Sequence, residues 1–342
     1  MAATGMVPTD KARFALRRET GDLAEGAAKL AGEIGSTGVE AVLAQANRVA
    51  ARKGAPGALG AMRPRPVDWY AFDDKDQDTA DWYPQGLTCS DESGSIGVPA
   101  FLATWYFKPD AGERGIRVSF LSPQTLKYQH ALLVEAKPDG SYGPINIHAG
   151  GIACDGDLVY VADTKRGLRV FDLNRVLDLR TAQSDLGDPK RVGRHDGKFH
   201  AFGYRYVMPQ TDFWRVATAG PLFSFVSIDR SGGTPRLVSG EYREDDPGGW
   251  VARWDLGMSG GEPADAFVMG HPKIQGAISW GGKWYLSQAA GAAANGKLLV
   301  YTDGKLETRG FPVGPEDLTV QDGKLWSATE FRNKRIIFGV PL

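Results

Sequence analysis

From residue 84 onward, short apolar stretches with period-two alternation follow one another, separated by glycine-containing turns, which is the pattern of β-strands. A unit recurs five times. It opens with a small-residue turn into a short apolar strand, a hairpin leads to a strand carrying an aromatic residue, and a third strand and a more variable fourth complete it. The openings are Pro84-Gln85-Gly86-Leu87, Ala149-Gly150-Gly151-Ile152, Leu222-Phe223-Ser224-Phe225, Ile274-Gln275-Gly276-Ala277 and Pro315-Glu316-Asp317-Leu318. The clearest second strands are residues 157–163, 283–289 and 324–330. Third strands fall at 116–122, 168–173, 251–256, 298–303 and 335–340, and fourth strands at 128–135, 204–210, 264–270 and 306–312. The last unit runs out of chain after its third strand. Residues 67–72 alternate as a strand does, so they are predicted to close the last unit beside residues 335–340.

Four-stranded repeats of this size describe an all-β, five-bladed β-propeller over residues 61–342, with six blades as the alternative. The stretch at 147–173 (IHAGGIACDGDLVYVADTKRGLRVFDL), with YPQGL (83–87), YRYVMPQ (204–210), FSFVSIDRS (223–231) and GPEDL (314–318), resembles a group of actinobacterial propeller proteins, most of them secreted and functionally uncharacterised. The resemblance spans about residues 80–340. It implies the fold and carries no activity to any residue.

Residues 1–60 have a different pattern and read as a helical arm and linker. Residues 10–33 favour helix by composition, with Leu23, Ala27, Leu30 and Ile34 on one side. Thr37 and Glu40 have capping-box spacing ahead of a second periodic stretch from Val39 to Ala50. These helices are expected either to pack on the outside of the main domain or to pair with a second copy as a homodimer. The arm is expected to be dispensable for the fold.

Composition narrows the function classes. Forty Lys plus Arg against 41 Asp plus Glu leave a formal charge of −1, which excludes a general field for nucleic acid. No apolar run is long enough to span a membrane. The basic-then-apolar pattern of a secretory signal is missing, so the expected compartment is cytoplasmic, or extracellular if a signal has been removed. The two cysteines, Cys89 and Cys154, fit neither a disulfide framework nor a zinc site and are expected to be buried in innermost strands. No cofactor or metal is expected.

In a propeller the first strands line the axis, so polar residues at the openings converge. His148 and Glu316 are the candidate acid–base pair, because burial and pairing bring such groups toward neutral pKa. Gln85 and Gln275 are candidates to hold a carbonyl or hydroxyl. His200, at the end of the insertion 174–200, and Trp82, Trp214 and Trp280 are candidate substrate contacts. The acidic run Asp73–Asp78 lacks the glycine and final glutamate of a calcium loop and reads as a solvated loop. Residues 241–246 read as a charged hairpin tip. A nucleophile elbow, a dinucleotide fingerprint and a phosphate loop are all missing, and a two-carboxylate glycosidase is disfavoured. The reading is therefore a small-molecule enzyme doing non-redox acid–base chemistry: cyclisation, isomerisation, elimination or hydrolysis. The alternatives are a carbohydrate- or ligand-binding module and a protein-interaction scaffold.

Overall fold

The computed structural model describes residues 5–90, 96–257 and 260–342. It is an all-β structure in which five antiparallel four-stranded meanders can be traced among the described residues. The first comprises Trp82–Cys89, Phe101–Phe107, Ile116–Leu121 and Lys127–Ala136. The second comprises Ile152–Asp155, Leu158–Asp163, Gly167–Asp172 and Tyr206–Val216. The third comprises Phe225–Asp229, Arg236–Gly240, Trp250–Asp255 and Asp265–Val268. The fourth comprises Ile274–Trp280, Lys283–Gln288, Asn295–Thr302 and Lys305–Val313. The fifth comprises Pro315–Gln321, Lys324–Thr329 and Ile336–Pro341, and Asp68–Ala71 completes it. That last strand pairs Ala71 with Ile336 and Tyr70 with Ile337, where the alternation of residues 67–72 places it. One pairing had no counterpart in the pattern. The fourth strands of the first two meanders run parallel, Ala131 beside Tyr206, and fuse them into one sheet.

The first strands touch in a closed cycle: 82–89 meets 152–155, then 225–229, 274–280 and 315–321 in turn, and 315–321 returns to 82–89. Glycine permits this approach. A Cβ on Gly86 would lie 2.5 Å from the Ile152 nitrogen, and one on Gly150 would lie 2.0 Å from the Ser224 oxygen. Hydroxyls one strand out fasten the contact: Thr104 accepts from Gly86 N and donates to Ala149 O, each at 3.0 Å. Cys89 and Cys154 both lie buried in first strands.

The N-terminal region is not the expected helical arm. Among the described residues of this region, α-helix forms over Leu23–Ile34 and Val39–Ala44, with single 3-10 turns at Ala12–Phe14 and Pro56–Leu59. Leu16–Arg18, inside the span predicted helical, instead pairs with residues 214–216, a tertiary contact overriding propensity. The capping box does not form either. Gly38 is the N-cap, and Glu40 accepts from the Gly97 nitrogen at 3.1 Å. The segment runs around the outer edges of the meanders as a belt. Val7–Pro8 adds to the third, Leu16–Arg18 to the second, Arg48–Val49 to the first and Ala51–Arg52 to the fifth. Ala58, Leu59 and Met62 then pack into the core of the fourth and fifth. Leu30 and Ile34 bury against the fused sheet with Leu132, Val134 and Val207. The apolar helix face considered for a second copy is thus covered by the chain itself.

Candidate active site at the axial mouth

Three of the first strands carry a β-bulge at their opening. Register shifts lie between Pro84 and Leu87, between Ile274 and Gly276, and between Pro315 and Leu318. The displaced residues are Gln85, Gln275 and the Glu316-Asp317 pair. A bulge breaks strict alternation and re-aims a side chain, and here it brings the polar residues of three meanders together. Gln275 Nε2 donates to Glu316 Oε1 at 3.2 Å. Gln85 Nε2 donates to Glu330 Oε2 at 3.1 Å and to Pro84 O at 3.0 Å. Both glutamines therefore hold carboxyl groups of the protein, where a substrate carbonyl or hydroxyl was expected.

Glu330, which the sequence reading passed over, is the partner of Glu316. Their carboxyls share a hydrogen bond that favours the acid form of Glu316 and the carboxylate of Glu330, so Glu316 is the donor. Burial, with the fields of Glu330 and Asp317, holds Glu316 well above the usual carboxylate range. Burial also lifts Glu330 to about 7, against the opposing pulls of Gln85, Arg335 and Glu316. Glu330 is only partly buried, and Glu316 lies fully buried beneath it. Burial raises Asp317 as well, and the backbone amides of Ile152, Leu318 and Leu87 partly offset this. Tyr106 and Tyr242 lie within the field of the pair, and Tyr83, next to Tyr106 with ring centroids 5.7 Å apart, carries the Arg335 guanidinium over its ring at 4.9 Å. Burial and those fields raise the Tyr106 pKa, so its hydroxyl stays a donor. Tyr242 comes from the segment read as a charged tip; Glu241, beside it, is buried against Arg243 at 2.8 Å.

His148 does not pair with Glu316 among the described residues. Its ring lies against Tyr106, centroids 4.2 Å apart, and both line a cleft of ≈ 300 Å³ with Phe107, Glu113 and Asn146. The imidazole is wetted at this cleft, while the surrounding protein pushes its pKa down. Tyr106 joins the two regions: it lines the cleft, and the fields of Glu330 and Glu316 reach its hydroxyl.

The other candidate contacts lie elsewhere. His200 is buried in the insertion, where its Nδ1 accepts from the Asp188 nitrogen at 2.8 Å. Trp82 is packed between Phe107 and Tyr204, under the Arg117 guanidinium at 4.4 Å. Trp214 lines a peripheral apolar crevice of ≈ 20 Å³ and, with Arg18, Tyr160 and Asp212, a separate cleft of ≈ 360 Å³. Trp280 ends its strand five residues from Gln275, roughly 16 Å away along the strand.

The acidic run is not a solvated loop. Asp73 caps a short helix, Asp74–Asp78, by accepting from the Asp76 nitrogen at 3.0 Å. Asp76 is buried and binds Arg117 at 2.7 Å, Arg48 at 3.3 Å, Tyr128 Oη at 2.6 Å and His130 Nε2 at 2.9 Å. Since the carboxylate accepts from Nε2–H, His130 Nδ1 accepts from Ser119 Oγ, 2.8 Å away. This serine–histidine–aspartate chain has triad order, yet Ser119 is 0 % exposed and takes a 2.7 Å bond from Trp105 Nε1. It is packing, not a nucleophile.

These two networks set opposite pH slopes. Glu330 titrates from 4.5 to about 7 on folding, so its stabilising contribution is complete below pH 4.5 and is lost as pH rises through 7. His130 is pushed by burial, then by Arg117, from 6.5 to about 4, so its contribution is complete above pH 6.5 and is lost as pH falls. Glu330→Gln removes the Glu330 share of the base-side loss and leaves the shares of Glu316 and Asp317, which burial also raises. The stability difference between variant and wild type should therefore grow by about 2–3 kcal/mol from pH 4.5 to pH 8, as read by urea denaturation. A difference that does not change with pH would contradict the position of Glu330.

No protein-family model matches the chain, and no curated protein matches it. Among solved structures it is similar to a GH43_1 enzyme from Xanthomonas citri, at 12% identity, 93% coverage of each chain and a TM-score of 0.36. It is similar to the hydrazine synthase of Kuenenia stuttgartiensis at 12% identity, covering 74% of this chain and 75% of that one, with a TM-score of 0.36. BamB from Moraxella catarrhalis matches at 11% identity over 81% of this chain and 99% of that one, TM-score 0.34.

Proposed function

We propose that the chain is a five-bladed β-propeller whose axial mouth performs non-redox acid–base chemistry on a small molecule. The observation that supports this reading is the hydrogen-bonded pair Glu316 and Glu330 at the mouth, one carboxyl fully buried and held well above the usual carboxylate range, the other partly exposed and lifted by burial to about 7. A base of that strength accepts a proton readily at neutral pH and returns it as readily. Glu330 takes the substrate proton, the bond from Glu316 steadies its charge, and the Tyr106 hydroxyl donates to a developing oxyanion. One proton is removed and one returned, which fits isomerisation, cyclisation or elimination. Glycoside hydrolysis fits less well. It needs carboxyls about 5–9.5 Å apart across the bond, and these two touch. The tyrosine wall alone favours the second reading, a ligand-binding module without catalysis.

On a substrate found by metabolite screening, Glu330→Gln and Glu316→Gln should each lower kcat by roughly 10²–10⁴-fold with the melting transition retained. Full turnover in both variants excludes the acid–base role and leaves the binding module.

A further inference from the structure

We infer that the chain has a second binding site, for an uncharged saccharide, in the cleft between the belt and the outer strands of the second meander. It shares no lining residue with the cleft of Tyr106 and His148. The register of the sheet builds it. Tyr160, Val170 and Asp212 lie side by side on three successive strands, and in the next row but one Leu168, Trp214 and Arg18 do the same. Side chains two apart along a strand share a face, so the two rows look out on one side of the sheet. Thr20 and Ala24 of the belt, with Arg175 beyond the third strand, complete a cleft of ≈ 360 Å³ there. The apolar crevice of ≈ 20 Å³ that reaches Leu237 and Trp254 of the third meander adjoins it, for Tyr160 and Trp214 line both.

Three observations point to the ligand. Tyr160 is only 8 % exposed, yet among the described residues its hydroxyl makes no hydrogen bond. Buried tyrosine hydroxyls are ordinarily partnered, and the two spaces that Tyr160 lines are where a partner has room. Second, the four charged side chains lining the cleft balance. Asp212 accepts from Arg18 Nε and, at 2.8 Å, from the Thr20 hydroxyl, and Asp172 lies 3.6 Å from Arg175. An organic anion would meet the two carboxylates and a cation the two guanidiniums, so neither gains. The pairing still leaves the Arg18 Nη nitrogens as donors and carboxylate lone pairs as acceptors. A sugar hydroxyl donates and accepts, and so uses both kinds. Third, the partly exposed Trp214 and the apolar Leu158 and Val170 lie among these polar groups. A sugar ring matches that mixture, with a rim of hydroxyls and a C–H face that packs on an aromatic ring.

The experiment screens the full chain on an array of short neutral oligosaccharides of glucose, galactose, mannose, xylose, arabinose and N-acetylglucosamine, beside their sulfated and uronic-acid counterparts. The best neutral binder is then titrated calorimetrically. It should bind with a Kd of about a millimolar or tighter. Tyr160→Phe should weaken it several-fold, the effect of one hydrogen bond, and should leave the melting temperature where it was, because that hydroxyl holds nothing in the protein. Trp214→Leu should weaken it by up to roughly tenfold through loss of the aromatic face. An array on which no neutral glycan binds, or on which the charged counterparts bind more tightly, overturns the inference. So does saccharide binding that both variants leave unchanged, since the sugar then sits elsewhere. A Tyr160→Phe protein that melts several degrees lower shows that the hydroxyl has a structural partner, and this overturns it too.

Discussion

Asp76→Ala should cost the folded protein about 3–5 kcal/mol, the penalty for leaving buried charges without their partner. The residue lies just beyond the closing strand Asp68–Ala71 and ties together three parts of the chain. Its carboxylate holds Arg117, Tyr128 and His130 of the first meander and Arg48 of the belt. Its carbonyl takes the Arg335 guanidinium of the fifth meander at 2.6 Å. Burial opposes the charge of Asp76, and His130, Arg117 and Arg48 more than offset it, holding the carboxylate well below its usual pKa. Removing it leaves the buried Arg117 guanidinium without its carboxylate, while Arg48, partly exposed, keeps Asp73 at 2.9 Å. Asp76→Asn should recover little, because an amide keeps the shape but supplies no charge. Asp74→Ala, two residues away on the exposed side of the same short helix, should stay within about 0.5 kcal/mol. Urea denaturation of the three variants decides the matter. If Asp76→Ala costs no more than Asp74→Ala, the network does not lock the ring.

That network shows which features a linear pattern conceals. Strand positions were legible because alternation and Asp-Gly or Gly-Gly turns mark them locally, and even the return of residues 67–72 to the last meander followed from a strand one short. The openings were legible as polar interruptions of apolar strands. What the alternation could not give is where Gln85, Gln275 and Glu316 point, because bulges cancel the alternation at those residues. Glu330 carried a usable signal: it ends KLWSATE, just past the turn end of a second strand whose Thr329 pairs with the opening residue Pro315 of the same meander. The acidic run misled because three exposed-looking aspartates hide one whose partners, Arg48, Arg117 and His130, are distant in sequence. His200 and the tryptophans were chosen by residue type and nearness to loops, and neither property says which end of a strand faces the axis. The helix expected over residues 10–33 was lost at its start for the same reason. Leu16–Arg18 meets a free sheet edge, and edge pairing outweighs a propensity difference of tenths of a kcal/mol per residue.

Deleting residues 1–60 should abolish the soluble folded protein, the opposite of what a separate arm predicts. The belt covers strand edges on the first, second, third and fifth meanders, and edges left open invite pairing between chains. It also supplies buried apolar side chains: Phe14, stacked on Trp250 at 4.2 Å, Leu16, Leu30, Ile34, Val42 and Leu59 among them. At about 1.5–3 kcal/mol for each side chain buried, their loss is of the order of 10 kcal/mol, comparable with the whole stability of a typical domain at about 5–15 kcal/mol. The truncated chain should therefore collect in the insoluble fraction, and residues 1–60 supplied as a separate polypeptide during refolding should restore some soluble protein. A milder variant keeps the idea testable if truncation simply aggregates: Phe14→Ala in the full chain removes one anchor from the third meander's core and should cost about 3–5 kcal/mol. A truncated protein that melts cooperatively within a few degrees of the full chain, together with a Phe14→Ala cost below 1 kcal/mol, would show that the five meanders hold themselves together and that the belt is only laid on them.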